Sequence, residues 1–163
     1  MSTNDVTTLA GSGASGYADG DWREAQFSYP RGVCVDMKGN ILVADSRNHC
    51  IRIISPEGVV DTLAGNPSGK QHVDAAFHKP SGVAVDQEEN VIVADRTFHR
   101  LRIISPAGQV TTLAGSNAAG YRDGEGAAAQ FAEPCGLAAD SNGNIVVADR
   151  NNHVVRRVTP AGV

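Results

Sequence analysis

The chain has 163 residues and 17.0 kDa, enough for one ordinary domain with a core. Fourteen basic against eighteen acidic residues leave a net charge of −4, which excludes the overall basic excess of a protein built to coat nucleic acid or an anionic membrane. Eighteen glycines and seven prolines favour many short turns and exclude an all-helical bundle.

Residues 1–5 form a polar tail with neither the basic nor the apolar part of a secretory signal. Apolar runs such as Gly32-Val33-Cys34-Val35 are far too short to span a bilayer, so no membrane association is expected. Cys34, Cys50 and Cys135 are odd in number and lack metal-ligand spacing. Reduced thiols in a cytoplasmic setting are expected, with no metal and no cofactor.

Val6-Thr7-Thr8-Leu9-Ala10-Gly11 opens the patterned part of the chain and recurs as Val60-Asp61-Thr62-Leu63-Ala64-Gly65 and Val110-Thr111-Thr112-Leu113-Ala114-Gly115. After a long loop comes Pro30-Arg31-Gly32-Val33, which returns at Pro80 and Pro134; Val43-Ala44-Asp45 returns at Val93 and Val147. The chain is therefore a three-copy repeat. Short β-branched segments near Val33–Val35, Ile41–Ala44, Cys50–Ile54 and Val60–Ala64, bounded by turn residues, make each copy a four-stranded antiparallel meander. Meanders repeated about every 50 residues are blades of an all-β propeller. The copies place a closing strand at 6–10, blade 1 at about 30–65, blade 2 at about 80–115 and blade 3 at about 134–163, within a propeller segment covering 6–163.

Asn48-His49-Cys50-Ile51-Arg52 and Asn152-His153-Val154-Val155-Arg156, each after a Val-Ala-Asp strand and a Pro-x-Gly segment, resemble NHL repeats. Copy two departs with Phe98-His99-Arg100-Leu101-Arg102, which lacks the Asn. The resemblance implies six blades and a binding role. Some similar domains bind RNA, and hydrolases and lyases share the propeller fold.

His49, His99 and His153 open the third strands of separate blades, too far apart for one metal ion. They are expected to bond with Asp45, Asp95 and Asp149 of the preceding strands, with Arg52, Arg102 and Arg156 in the same structural network. Phe27, Phe77 and Phe131, three residues before each proline, are expected to plug the gaps between blades. The innermost strands carry no ionisable group toward the axis except the terminal Asp36, Asp86 and Asp140, which are read as turn caps, and Cys34 is read as a small core residue, so no catalytic residue is assigned and an enzyme is disfavoured.

The long lead-in loops and the second-to-third strand connections share one face, with nine basic and ten acidic groups; the short hairpins share the other, with one basic and six acidic. The long-loop face also holds aromatics. A protein or peptide is expected to dock there, on Tyr17, Trp22, Arg23, Arg47, Arg96, Phe98, Tyr121, Arg122 and Arg150. RNA is the second reading.

Blade 3 stops before its fourth strand, whereas a matching strand, 6–10, precedes blade 1. Three blades cannot close a ring, so a six-bladed homodimer with exchange of the N-terminal strand is expected. The competing reading is a piece of a longer chain whose other blades fill the partner's place.

Overall fold

The computed structural model describes residues 4–67 and 77–159 and is all-β, apart from single 3-10 turns. Its strands are β1 (Gly20–Asp21), β2 (Pro30–Val35), β3 (Ile41–Asp45), β4 (Cys50–Ile54), β5 (Val59–Gly65), β6 (Val83–Val85), β7 (Val91–Asp95), β8 (Arg100–Ile104), β9 (Val110–Gly115), β10 (Pro134–Ala139), β11 (Ile145–Asp149) and β12 (Val154–Val158). They form three antiparallel sheets, ordered β1-β5-β4-β3-β2, β6-β7-β8-β9 and β10-β11-β12. This is the propeller architecture that the repeats predict.

Alternation along each strand sends successive side chains to opposite sheet faces, and each face meets a neighbouring blade. Leu42, Ala44 and Ile51 of blade 1 pack with Val83, Val91, Val93 and Ile104 of blade 2 around Phe77. Ile92, Ala94 and Leu101 of blade 2 pack with Ile145, Val147 and Val158 of blade 3 around Phe131. The phenylalanines thus sit between blades, at 3% and 1% exposure.

The innermost strands approach closely because of one glycine per blade. A Cβ on Gly32 would lie 2.5 Å from the Ser81 carbonyl, and one on Gly82 would overlap the carbonyl of Cys135. The first hairpins are fixed by an aspartate: Asp36 Oδ1 accepts the N–H groups of Lys38 (2.9 Å) and Asn40 (2.8 Å), and Asp86 and Asp140 repeat the pattern. Glu89 holds the left-handed position of Gly39, with φ of 62°, and its carboxylate receives Lys38 Nζ from blade 1 at 2.6 Å.

Three features depart from the sequence reading. Blade 1 gains a fifth strand, because β1, inside the long lead-in loop, pairs with β5. The histidines end 3-10 turns in left-handed conformation and the third strands begin one residue later. Residues 6–10, expected to complete a third blade of a partner chain, have no ladder partner among the described residues and are mostly exposed, Val6 at 98% and Leu9 at 65%. An extended segment gains no strand without an edge to pair with.

The Arg52 guanidinium is fully buried. Nη1 donates to Asp45 (3.0 Å) and the Gln26 carbonyl (2.9 Å), and Nη2 donates to the Ala18 carbonyl (2.7 Å) and Asp19 (2.6 Å). Removing one partner of a buried pair leaves an uncompensated charge. Arg52→Met is therefore expected to lower the unfolding free energy by about 3–5 kcal/mol in urea denaturation. Asp45→Asn with Arg52→Met should be less damaging than the sum of the single changes.

Candidate binding face

Each blade is stitched at one end by the residues that follow its second strand. Asp45, Asp95 and Asp149 are 0% exposed. Their Oδ1 atoms accept the N–H groups of Ser28 (2.7 Å), His78 (2.7 Å) and Ala132 (2.8 Å), tying each turn to its own lead-in loop. Asn48 Nδ2 donates to Asp45 Oδ2 (2.8 Å) and to the Gly16 carbonyl (2.8 Å); Asn152 does the same with Asp149 (2.8 Å) and Gly120 (2.7 Å). In blade 2, where Phe98 replaces Asn, Arg100 Nε donates to Asp95 Oδ2 instead, at 3.1 Å. Burial raises the Asp95 carboxyl pKa, opposed by the His78 N–H, Arg100 and Arg102.

Arg156 repeats the bonds of Arg52, reaching Asp149 (3.1 Å), the Gln130 and Arg122 carbonyls and Asp123 (2.8 Å). Arg102 is likewise buried, with Nε donating to the Thr111 carbonyl at 3.0 Å. Aromatic rings cover these cations: Tyr17 and Phe27 lie 4.9 and 5.0 Å from Arg52, Phe131 lies 4.5 Å from Arg156, and Phe77 lies 6.0 Å from Arg102.

The histidines bond differently from the expectation. They do not reach the aspartates. His49 Nδ1 accepts the Lys79 N–H at 3.2 Å and His99 Nδ1 accepts the Glu133 N–H at 3.1 Å, so each histidine joins its blade to the lead-in of the next. A left-handed backbone, with φ of 55°, 51° and 58° at His49, His99 and His153, turns the ring away from its own aspartate.

Around these links runs a strip of partly exposed groups. The Arg47 guanidinium lies 3.6 Å from the Tyr29 ring centre. His49 stacks on His78 at 5.1 Å, His78 meets Phe98 at 5.4 Å, and Arg100 lies 5.0 Å from the Phe98 ring. Arg96 Nε (3.0 Å) and Arg150 Nη1 (3.1 Å) both donate to Glu133 Oε2. Hydrogen bonding from Arg96 leads the effects that hold the Glu133 carboxyl below its usual range. Among the described residues the strip thus carries Arg47, Lys79, Arg96 and Arg150 against one partly exposed carboxylate, Glu133, which Arg96 and Arg150 share, and this part of the rim is cationic. Asp19 and Asp21, which offset these cations in a count over the whole face, lie in the loop that pairs with outermost strand β5.

Five of the nine expected binding residues lie away from this rim. Trp22 and Arg23 follow β1 at the outer edge: the indole packs 2.8 Å from where a Cβ on Gly58 would stand, and Arg23 covers the indole at 4.2 Å. Tyr17 lies against Arg52 and bonds Thr62 through its hydroxyl at 2.8 Å; Tyr121 lies 5.8 Å from Arg156; Arg122 Nε is tied to the Ala128 carbonyl at 2.8 Å. Arg47, Arg96, Phe98 and Arg150 are on the rim. Tyr29 and His78, which sequence reasoning missed, join them, as do Lys79 and Glu133, which it counted among the charges of this face without assigning them to binding. Their signal was positional: Tyr29, Lys79 and Glu133 each precede the repeated proline, and all three are left-handed, with φ of 52°, 56° and 53°.

Among the described residues no cluster of three or more His, Cys, Asp or Glu side chains could hold a metal ion, and no helix is long and apolar enough to cross a membrane. Burial, assisted by Asp36, pushes the Cys34 thiol up to about 11, and burial pushes Cys50 up to about 12. Neither is a poised nucleophile.

Residues 27–54, 77–104 and 131–157 match the NHL repeat family. The chain belongs to the NHL-repeat family. Part of it is 44% identical over 52 residues to Protein SUPPRESSOR OF QUENCHING 1, chloroplastic, from Arabidopsis thaliana, spanning 32% of this chain and 5% of that protein. An auxiliary nutrient binding protein from Bacteroides thetaiotaomicron is similar in structure, with TM-score 0.67 and 26% identity over 77% of this chain and 36% of that one. Virginiamycin B lyase from Staphylococcus aureus shares the fold, with TM-score 0.58 and 14% identity over 82% of this chain and 39% of that one. The NHL chain thus spans well under half of these relatives.

Burial lowers the His49 pKa, with His78 and Lys79 adding to the effect. A folded-state pKa below the unfolded value of about 6.5 contributes stability above that pH, which is lost as pH falls through the lower folded value. Protonation also removes the Nδ1 acceptor used by Lys79. Between pH 7 and 5 the midpoint of urea unfolding is expected to fall, and His49→Gln should flatten that part of the profile.

Proposed function

We propose that this NHL segment is a non-catalytic binding scaffold whose cationic rim takes a peptide bearing acidic side chains. The observation that carries this reading is the carboxylate of Glu133, gripped by Arg96 from one blade and Arg150 from the next. That pairing shows the rim's arginines spaced to share a carboxylate, in the charge-assisted geometry that gives such bonds their strength. Arg47 on Tyr29, the stacked His49 and His78 rings and the Phe98 ring tilted against His78 supply contact area beside them.

The innermost strands support a scaffold over an enzyme. Residues 32–35, 82–85 and 136–139 offer Gly, Val, Ala, Leu and the protonated Cys34, with no acid or base to move a proton. The lyase likeness, at 14% identity, concerns the fold alone. A cytoplasmic setting belongs to the same reading and rests on the three free cysteines.

A fluorescein-labelled peptide of alternating Glu and Tyr, titrated with the full chain and followed by anisotropy, tests the proposal. It is expected to bind, and Arg47→Ala with Arg150→Ala should weaken it roughly tenfold or more. Trp22→Ala, outside the rim, should leave it unchanged. A labelled oligouridine that binds more tightly than the peptide, with a steep loss on adding salt, would replace this reading by the RNA one.

A further inference from the structure

The two arginines that hold Glu133 have more to give than one carboxylate takes. Arg96 is the first residue of the turn after β7 and Arg150 the first of the turn after β11, so the two guanidinium groups stand at equivalent places on adjacent blades. The three bonds to Glu133, from Arg96 Nε and Nη2 and from Arg150 Nη1, all end on Oε2. Among the described residues Glu133 Oε1 accepts nothing, and Arg96 Nη1 and Arg150 Nε and Nη2 donate to nothing. Two positive charges and three idle nitrogens thus face a single negative charge.

The fold does not need the Glu133 side chain. Its backbone is held by His99 Nδ1, which accepts the Glu133 N–H at 3.1 Å, and His49 holds Lys79 in the same way at 3.2 Å. The junction of blades 1 and 2 has Lys79 in the place of Glu133 and Ser46 in the place of Arg96, and it packs around Phe77 without a carboxylate there. At the junction of blades 2 and 3 the ion pair is also open to water: the side chains of Arg96, Glu133 and Arg150 are 18%, 29% and 54% exposed. Ion pairs so placed add little to stability. A carboxylate with no structural duty, set by the chain on two guanidinium groups, behaves as the occupant of an anion site.

We propose, resting on the reading of this rim as a peptide-binding face, that Glu133 is a built-in occupant of an anion site made by Arg96 and Arg150, and that the ligand is a phosphorylated peptide whose phosphate displaces it. A tethered carboxylate competes at an effective concentration of the order of millimolar. A Glu side chain of an incoming peptide exchanges one negative charge for another and gains little at this point. A phosphate monoester brings a charge of about −1.5 to −2 and three acceptor oxygens at pH 7, which suits two guanidinium forks and engages the nitrogens left idle by Glu133. The Glu133 side chain swings into solvent while its N–H stays on His99. Glu133 is then a filter that discriminates against carboxylates, the unfavourable half of specificity.

The fluorescein-labelled Glu–Tyr peptide is made in two forms, one with its central Tyr phosphorylated. Each is titrated by anisotropy with the full chain and with Glu133→Gln, which keeps the size of the side chain and the backbone link. The phosphorylated form is expected to bind the unaltered chain at least about tenfold more tightly than the unmodified form. Glu133→Gln should tighten the unmodified peptide about threefold or more and so narrow the gap. Arg96→Ala should bring the phosphorylated form down to the affinity of the unmodified one, and Arg96→Lys, which keeps the charge and loses the fork, should restore only part of the difference. Equal affinity of the two forms for the unaltered chain, or an unmodified peptide indifferent to Glu133→Gln, would overturn this inference and leave the acidic-peptide reading of the rim standing. Failure of both forms to bind either protein would overturn both. An oligouridine that displaces the phosphorylated peptide at lower concentration than the unlabelled phosphopeptide itself would assign the site to nucleic acid and overturn the inference as well.

Discussion

An aspartate–arginine pair withdrawn from water in blades 1 and 3, with Asp95 of blade 2 paired by Arg100 instead, is the constraint from which the rest follows. In blades 1 and 3 the aspartate closes the second strand and the arginine lies on the third, directly across the sheet register from Val43 or Val147. A charge removed from water needs its lone pairs and protons matched, and here the four donations of the Arg52 Nη atoms do so while its buried Nε has no partner. In blades 1 and 3 the matching groups are lead-in backbone, an asparagine two residues after the turn begins, and a second aspartate from the loop. Folding the blade and anchoring its long loop are therefore one event. A loop of some eighteen residues, from 11 to 29, would otherwise be expensive to order.

Blade 2 shows how far this arrangement tolerates change. Phe98 removes the amide that bonds the carboxylate, and Arg100, one residue past the histidine, fills the vacancy from the other side. The exchange frees position 98 for a ring that packs, tilted, against His78. A residue released from structural duty becomes part of the exposed strip.

Blades, strand order and the interdigitating phenylalanines were legible in the sequence because they rest on periodicity: alternation within strands and recurrence between copies. The structural character of Asp45 and Arg52 was legible for the same reason, since each recurs at equivalent positions, whereas the bonding role of Asn48 was not read. What could not be read was direction. His49 was assigned to Asp45 by proximity along the chain, but a left-handed φ swings the ring toward the next blade. Trp22 was placed on the long-loop face because its loop belongs there, yet the loop doubles back as β1 along the sheet edge and carries the indole to Gly58. The equivalence of Tyr29, Lys79 and Glu133 was not read because their side chains differ, although Lys79 and Glu133 were counted among the charges of the face. Backbone conformation unites them, and no residue type announces it.

That last position joins architecture to recognition. The residue before each proline is fixed by its backbone alone: its left-handed φ directs the chain into the innermost strand, and at Lys79 and Glu133 its N–H is held by a histidine of the preceding blade. Nothing in this linkage involves its side chain. Tyr, Lys and Glu therefore occupy equivalent places with equal structural effect and different chemistry: one stacks under Arg47, one adds a positive charge, and one draws Arg96 and Arg150 together. Because each of these links runs from an acceptor on one blade to a donor on the next, the row has a polarity. The same directed bond that assembles the blades thus sets out, at each junction, one side chain whose identity can vary without disturbing the fold that presents it.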